Sequence, residues 1–339
     1  MNHEIITSIP HGDLAARWNA FARTAPFATH YVTPNYFTDP YICGERFSIL
    51  AVDDNGKISA VLTGIIDGDR IVSGMFSRPQ MVFGRGVDRS SAVAALVDGI
   101  ARIGMSAKLV EIYSWEPITE FESHSMQART SNETTSVVMI DLLQGPDAIF
   151  AKFSQTRRSE IRKAIRQGLV EVKELDSDEE LAEVYKIQCD WNERKGHRPD
   201  TFEQVRTAVS QIGNRKVFIA KTGGKVIAAS FYRFCPQGVV EYAANFSTPE
   251  YQKLRPNDLI GWHAIEWACR MGFSYFSMGG SHLFLRRFGG EVMQTHRYRR
   301  DMSLFKIHDL GENAREFGAQ AYRFLPENVR NGVRRFLTR

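Results

Sequence analysis

Five consecutive residues, Met278-Gly279-Gly280-Ser281-His282, hold the densest chemistry in the chain. They follow an apolar, β-prone run, and two glycines at a strand end let a ligand approach the backbone closely. The Gly279 and Gly280 amides are candidate donors to an oxyanion. Ser281 and His282 place polar groups where an amine or a carbonyl oxygen would lie. The ring of His282 ordinarily titrates near neutral pH, which makes it the candidate general base; the competing reading is plain polar surface. A second cluster is basic. Arg157, Arg158, Arg162, Lys163 and Arg166 fall on one expected helix before Gly168, and spacings of four and five residues place several on one face. Such a face binds phosphates of tRNA or of a pyrophosphate-bearing precursor in a salt-dependent way, or it is simply solvated. Asp176, Asp178, Glu179 and Glu180 read as the start of a helix running to Trp191 rather than as a metal site. Asp190, Glu193, Lys195 and His197 are expected in a loop after it, with Gly196 and Pro199 letting that loop close over substrate. The four cysteines, Cys43, Cys189, Cys235 and Cys269, show neither a C-x-x-C pair nor zinc-ligand spacing, as in a reducing compartment.

Something must position these residues. The chain has 339 residues, of which 43% are hydrophobic and 24% charged, room for about two domains and too apolar for a disordered chain. No apolar run of ~18 residues predicts a membrane-spanning helix. The start, Met1-Asn2-His3-Glu4-Ile5-Ile6-Thr7, has neither the basic nor the apolar region of a secretory signal, so a cytoplasmic location is expected. The net charge of +4 is mild and points to no partner by itself.

The chain also repeats itself. Phe47–Val52, the turn Asp53-Asp54-Asn55-Gly56 and Lys57–Thr63 read as a hairpin; so do Val217–Lys221, Thr222-Gly223-Gly224 and Lys225–Ser230. Ala92–Gly104 reads as a helix ended by glycine and followed by the strand Lys108–Ile112. Leu259–Gly272 and Ser274–Ser277 read the same way. Lys57 and Lys225 are separated by the same 168 positions as Gly104 and Gly272. A duplication explains the constant offset better than convergence of common strand–helix patterns. The second helix, Asp258–Met271, is apolar nearly all round and is expected to be buried on several sides. A seam between the halves is expected near 131–146, flanking the strand Val137–Leu142.

Four segments of the second half carry a family resemblance. They are Phe153–Ala164, Leu254-Arg255-Pro256-Asn257-Asp258-Leu259, Gly272–Gly280, and Arg286-Arg287-Phe288-Gly289-Gly290-Glu291. Together they resemble the FemABX-like proteins and the related BioF2-like acetyltransferase domain, across about residues 146–302. In the first half, Ser77-Arg78-Pro79 and Gly84-Arg85-Gly86 look like the family's loop after its early strands. The resemblance implies an α/β fold of two tandem GNAT-like domains with mixed, mostly antiparallel central sheets: 1–140, then the acyltransferase core at 141–310, then a basic amphipathic tail at 311–339. It implies an N-acyltransferase or aminoacyltransferase acting on an amine of a peptidoglycan or polysaccharide precursor, a small or lipid-linked molecule. The donor would be acyl-CoA or aminoacyl-tRNA as co-substrate, with no tightly bound cofactor or metal and no DNA partner.

The same resemblance places the site. The sheet of the second domain should split near Tyr242–Asn245, making Tyr242 and Asn245 substrate-binding candidates. The loop that would bind the CoA pyrophosphate is Tyr251–Asp258, where no glycine precedes Gly261 and Arg255 and Asn257 carry side chains instead. Arg255 and Lys253 can still meet an anion. Arg158 and Arg162 are the basic-face candidates. A lysine of the family falls at Leu285 here, and Arg286 or Arg287 would supply its charge, though arginine cannot act as a base. The missing lysine and the missing Gly-rich loop keep a second reading open: a non-catalytic binding protein on a duplicated scaffold. The stretch from Arg315 to Arg339 interleaves arginines with Phe317, Tyr322, Phe324, Leu325, Val329, Val333, Phe336 and Leu337. It reads either as an interfacial segment visiting the inner membrane or as a helix packed on the body.

Overall fold

The computed structural model describes residues 1–129 and 136–324. The first half runs β1 (Asn2–Ile6), α1 (Gly12–Thr24), β2 (Glu45–Val52), β3 (Ile58–Asp67), β4 (Arg70–Ser73), β5 (Met81–Phe83), α2 (Arg89–Ile103), β6 (Leu109–Ser114) and β7 (Gln127–Arg129). The first half closes with β8 (Ser136–Asp141), and the second opens with α3 (Pro146–Lys152), α4 (Gln155–Gln167), β9 (Glu171–Glu174), α5 (Asp178–Lys195) and α6 (Phe202–Ser210). It continues with β10 (Arg215–Thr222), β11 (Lys225–Phe234), β12 (Val239–Ser247), α7 (Pro256–Arg270), β13 (Tyr275–Ser277), α8 (Leu283–Arg286), β14 (Glu291–Gln294), β15 (His296–Asp301) and α9 (Ile307–Phe324).

The repeat is real in three dimensions. Hairpin β2–β3 turns on Asp53, whose Oδ1 accepts from the Asn55 and Lys57 amides at 2.9 Å each. Hairpin β10–β11 turns on Gly223 and Gly224, both at positive φ, which a two-residue loop demands. In each half a parallel strand then follows a helix: β6 beside β4, and β13 beside β12. The two glycines that end those helices act differently. Gly272 has φ +72, whereas Gly104 does not turn positive. Gly104 is required by crowding, since a Cβ there would lie 2.3 Å from Ile71 Cδ1.

Two sheets result, ordered β1-β2-β3-β4-β6-β15-β7 and β14-β8-β13-β12-β11-β10-β9, with β5 also on β3. They do not divide at 140/141. β8 leaves the first half to lie between β13 and β14, and β15 leaves the second half to lie between β6 and β7. Each half therefore lends its last strand to the other's sheet. Of the expected seam, Ser131–Thr135 lies outside the described residues.

The cores follow from this layering. On one face of the second sheet Ala228, Tyr232 and Phe234 meet Ile260, Ala264 and Ala268 of α7 and Ile161 of α4. On the other, Val217, Ile219 and Ala229 meet Val184 and Ile187 of α5. In the first half Ala92, Leu96 and Ile100 of α2 cover Phe47, Ile49 and Leu62. Between the halves, Trp18, Phe21 and Tyr31 pack on Val137, Met139 and Val239. Each large aliphatic or phenylalanine side chain among these, fully buried, contributes about 1.5–3 kcal/mol. α5 runs on to Lys195, so Asp190, Glu193 and Lys195 lie on a helix; only Gly196–Thr201 connect it to α6.

Candidate active site

The second sheet opens in its middle. β12 and β13 pair over only three positions, ending at Glu241↔Ser277. Tyr232 faces Tyr242 but Phe231 faces Ala244, so Ala243 is an extra residue, a β-bulge that bends β12 away. Gly279 completes the separation. It sits at φ +70, and a Cβ there would stand 2.5 Å from the Tyr242 carbonyl oxygen. The Met278 amide and the Gly280 carbonyl turn instead to Val138 of β8, both at 2.9 Å. Tyr242–Asn245 are half-buried between the buried Glu241 and Phe246.

On the α7 side of this opening, Pro256 starts the helix and Arg255 precedes it in the left-handed region (φ +59), with no side chain capping the first amides. Asn257 Nδ2 donates to Ser247 Oγ at 3.2 Å, while its Oδ1 is buried without a partner. Behind it, Asp258 and Arg157 form a buried ion pair at 2.9 Å. Arg157 also donates to the Phe284 carbonyl at 2.9 Å and lies 3.8 Å from the ring centroid of Phe288. Burial pushes the Asp258 carboxyl up and the Arg157 guanidinium down, and each partner pulls the other back. Burial likewise raises the Tyr242 phenol.

On the opposite face lies a cavity of about 240 Å³, walled on one side by Ala243 and Ala244 of the bulge and reached by Asp200, Arg215, Arg233 and Arg78. A neighbouring cavity of about 220 Å³ shares Tyr41, Arg78 and Arg233. The charges come from both halves. Glu241 Oε1 accepts from Arg233 (2.6 Å) and meets Arg78 (2.7 Å); Asp39 Oδ2 meets Arg215 (2.6 Å) and His30 Nε2 (2.8 Å). His30 and Asp39 are fully buried, and burial pushes the imidazole down, towards its neutral form. Asp200 sits in the short α5–α6 connection, where Gln188 Nε2 donates to its Oδ2 at 2.8 Å. Burial pushes its carboxyl up. A larger space of about 410 Å³ lies along β8 and β14 near Lys152, away from the opening between β12 and β13.

The residues singled out from sequence divide into those at the opening and those beside it. Tyr242, Asn245, Asn257, Gly279 and Gly280 gather there, and Arg255 stands at the mouth, paired with Glu160. Gly279 N, however, already donates to Ser277 Oγ at 3.3 Å. Ser281 Oγ shares a 2.6 Å hydrogen bond with Ser136 Oγ. His282 is exposed at the start of the four-residue α8, its ring near that of Phe284. Arg286 donates to the Ser281 carbonyl, and Arg287 is exposed. Arg158 is engaged with the Ala151 and Phe153 carbonyls at 2.5 and 2.6 Å, closing the end of α3. Arg162 is exposed and stands over Phe150. The basic face thus loses Arg157 to the core and Arg158 to a helix end. Leu285 is buried in the second-half core, so no charge stands at that position. Asp200, Arg78, Arg215 and Arg233 come from three distant segments, and no sequence spacing links them; Arg78 alone lay in a segment already marked, Ser77-Arg78-Pro79.

The split strand, the bulge and the helix following it define a GNAT-type acyltransferase fold, present twice. Comparison agrees: the family described as acetyltransferase (GNAT) domain matches residues 151–292. That segment is similar to the GNAT acetyltransferases, and the chain as a whole has the tandem, FemABX-like form of the fold. FemX superposes with a TM-score of 0.69 at 13% identity, covering 90% of this chain and 99% of FemX. The C-terminal domain of a putative lysylphosphatidylglycerol synthetase from Agrobacterium fabrum gives 0.59 at 12% identity, covering 88% and 95%. A tandem GNAT protein from the clavulanic acid biosynthesis pathway gives 0.52 at 11% identity, covering 89% and 99%. No curated protein sequence matches the chain.

Proposed function

We propose that the protein is an N-acyltransferase or aminoacyltransferase whose donor lies in the opening between β12 and β13 and whose amine acceptor enters from the cavity on the other face. One observation carries this reading: the bulge at Ala243 and the turn at Gly279 hold the sheet open beside a charged cavity lined by that same bulge. The uncapped amides of α7 suit an anionic donor, and Asn257 Oδ1 supplies a buried acceptor with no internal partner. A donor thioester of CoA and an ester of tRNA share that requirement. Gly279, Gly280, Tyr242 and Asn245 are assigned to the donor carbonyl, and His282 and Arg287 stand at the rim.

The acceptor is proposed to belong to a cell-envelope precursor, consistent with the FemABX-like form and with a neighbour named for lysylphosphatidylglycerol. α9 supports a lipid setting. Its acidic face is docked on the body, Asp309 to Arg129 (2.8 Å) and Arg299 (3.1 Å), and Glu312 to Arg297 and Arg299. Its apolar face, Ile307, Leu310 and Phe317, is turned outward with more than half of each side chain exposed. That is the reverse of a surface helix packed on a core. No helix among the described residues is long and apolar enough to cross a membrane; of the tail, 325–339 lies outside the described residues.

Melting of the purified protein against acetyl-CoA, longer acyl-CoAs, free CoA and aminoacyl-tRNA tests the donor. A ligand at 100 times its Kd adds about 2.7 kcal/mol. A dose-dependent rise with one donor class, followed by its turnover on an amine, is expected; no rise with any would leave the non-catalytic scaffold, which the buried Leu285 favours. Flotation with anionic vesicles at low salt tests α9, and failure to float removes the membrane contact.

A further inference from the structure

The cavity facing Ala243 and Ala244 is polarised. At one end Arg233 is buried (6% exposed), and its Nε has no hydrogen-bond partner. Arg78 and Arg215 stand with it. These three guanidiniums face two carboxylates, Glu241 and Asp39, while His30 is held towards its neutral form. One positive charge is left over. At the other end stands Asp200, with no ion-pair partner among the described residues: Gln188 Nε2 donates to its carboxylate, the Tyr185 hydroxyl donates to its backbone carbonyl, and Tyr41 faces it from the first half. A buried excess cation and a separate carboxylate at two ends of one small space are costly unless something of opposite polarity fills it.

We propose that this cavity binds the reacting end of the acceptor as an amino-acid-like zwitterion, its carboxylate on Arg233 and Arg78 and its ammonium on Asp200, and that Asp200 takes the proton that frees the amine. The inference rests on the transferase reading above. The ammonium gives one proton to the Asp200 carboxylate. The neutral nitrogen then attacks the donor carbonyl carbon, forming the N–C bond. Collapse breaks the C–S bond of a thioester or the C–O bond of a tRNA ester. The second nitrogen-bound proton passes to the departing sulphur or oxygen, leaving an amide and a free thiol or hydroxyl. Asp200 returns its proton to water. Burial that raises the Asp200 carboxyl moves its affinity for a proton towards that of a useful base, with Tyr41, Arg215 and Arg233 the titratable or charged groups around the same space.

The test needs no donor. The full chain is melted with each of the twenty free L-amino acids at roughly 10 mM. At least one is expected to raise Tm with dose. Its N-acetyl form and its carboxamide are each expected to bind about tenfold or more weaker, since a hydrogen bond to a charged group is worth about 1.5–3 kcal/mol. Asp200→Asn should bind the free and N-acetylated forms alike, and Arg78→Gln should no longer distinguish acid from amide. Binding by the wild type should weaken as pH falls through the Asp200 titration, and this limb should vanish in Asp200→Asn. The ligand series decides the matter even if a variant fails to fold. Equal binding of the N-acetylated form overturns the role of Asp200, and equal binding of the carboxamide overturns the anion end. If no amino acid binds while an acyl donor still does, the zwitterion is wrong and the transferase stands. If an amino acid binds and no donor does, the cavity stands and the transferase falls.

Discussion

The two halves share a plan but treat one place oppositely. In the second, β12 continues past its pairing with β13 and swells by one residue at Ala243. In the first, the matching strand breaks. Ile65 faces Val72, yet Leu62 faces Met81 where an unbroken strand would bring position 75, so six residues are looped out between β4 and β5. That loop carries Arg78 across to Glu241 and the second half's cavity. The helices that follow differ too. α2 is capped by Asp88, whose carboxylate accepts from the Ser90 and Ser91 amides, whereas the first amides of α7 are left uncapped. One copy has an opening and an uncapped helix start; the other has neither, and lends Arg78 to the wall of its neighbour's cavity.

The sharpest way to break this contrast is at the helix starts. Arg157→Met leaves Asp258 buried and unpaired and should cost about 3–5 kcal/mol by urea unfolding; Glu116→Gln, which removes the more exposed pair with Arg89 at the start of α2, should cost under about 1 kcal/mol. Similar losses at both would show that the halves rely on their helix starts alike. Next is the opening. Gly279→Val forces a Cβ onto the Tyr242 carbonyl and should lower kcat/KM about 100-fold or more with the preferred donor. Retained turnover would place the chemistry elsewhere. Third, Arg255→Asp sets a carboxylate before the first amides of α7, the position that Asp88 holds before α2. Donor KM should rise about tenfold while Tm holds, because a carboxylate then occupies the anion's place. The smallest effect is acidic. Burial alone would push the Glu180 carboxyl up, but bonds from Lys221 and Lys173 outweigh it and hold it down at about 2. Its contribution is present at neutral pH, declines as pH falls below the ordinary carboxylate value, and is lost through about pH 2. Glu180→Gln should flatten Tm between about pH 5 and pH 2.

Much of the scaffold was legible because local chemistry writes it. Asn55-Gly56 and Gly223-Gly224 mark the hairpins, and Gly272 marks the end of α7; the 168-residue offset tied them into a repeat. Gly104 was found for the wrong reason, since crowding by Ile71 rather than backbone conformation requires it. The exchanged strands left no trace. Ser136–Asp141 reads as a strand, but nothing local says that it leaves its own half. The opening at Tyr242 and Gly279 followed from the resemblance. Arg157 looked like one more member of a solvated basic face, because spacing cannot show that Asp258 waits a hundred residues later. The charged cavity was invisible for the same reason: Arg78, Asp200 and Arg233 meet only when both halves are assembled.

The reciprocal loan of β8 and β15 governs how the chain comes into being. Ile112 pairs with Tyr298, and the Tyr298 hydroxyl accepts from the Ile118 amide at 2.6 Å across 180 positions. While synthesis proceeds, the first half emerges with β6 paired to β4 alone, its other edge bare until residues near 301 leave the ribosome. Domain-by-domain maturation, the usual route for a chain of this size, cannot complete its first sheet. Contacts this distant fold slowly and lock together late. The mature molecule is therefore expected to unfold as one unit, and a cut between the halves to leave two incomplete sheets.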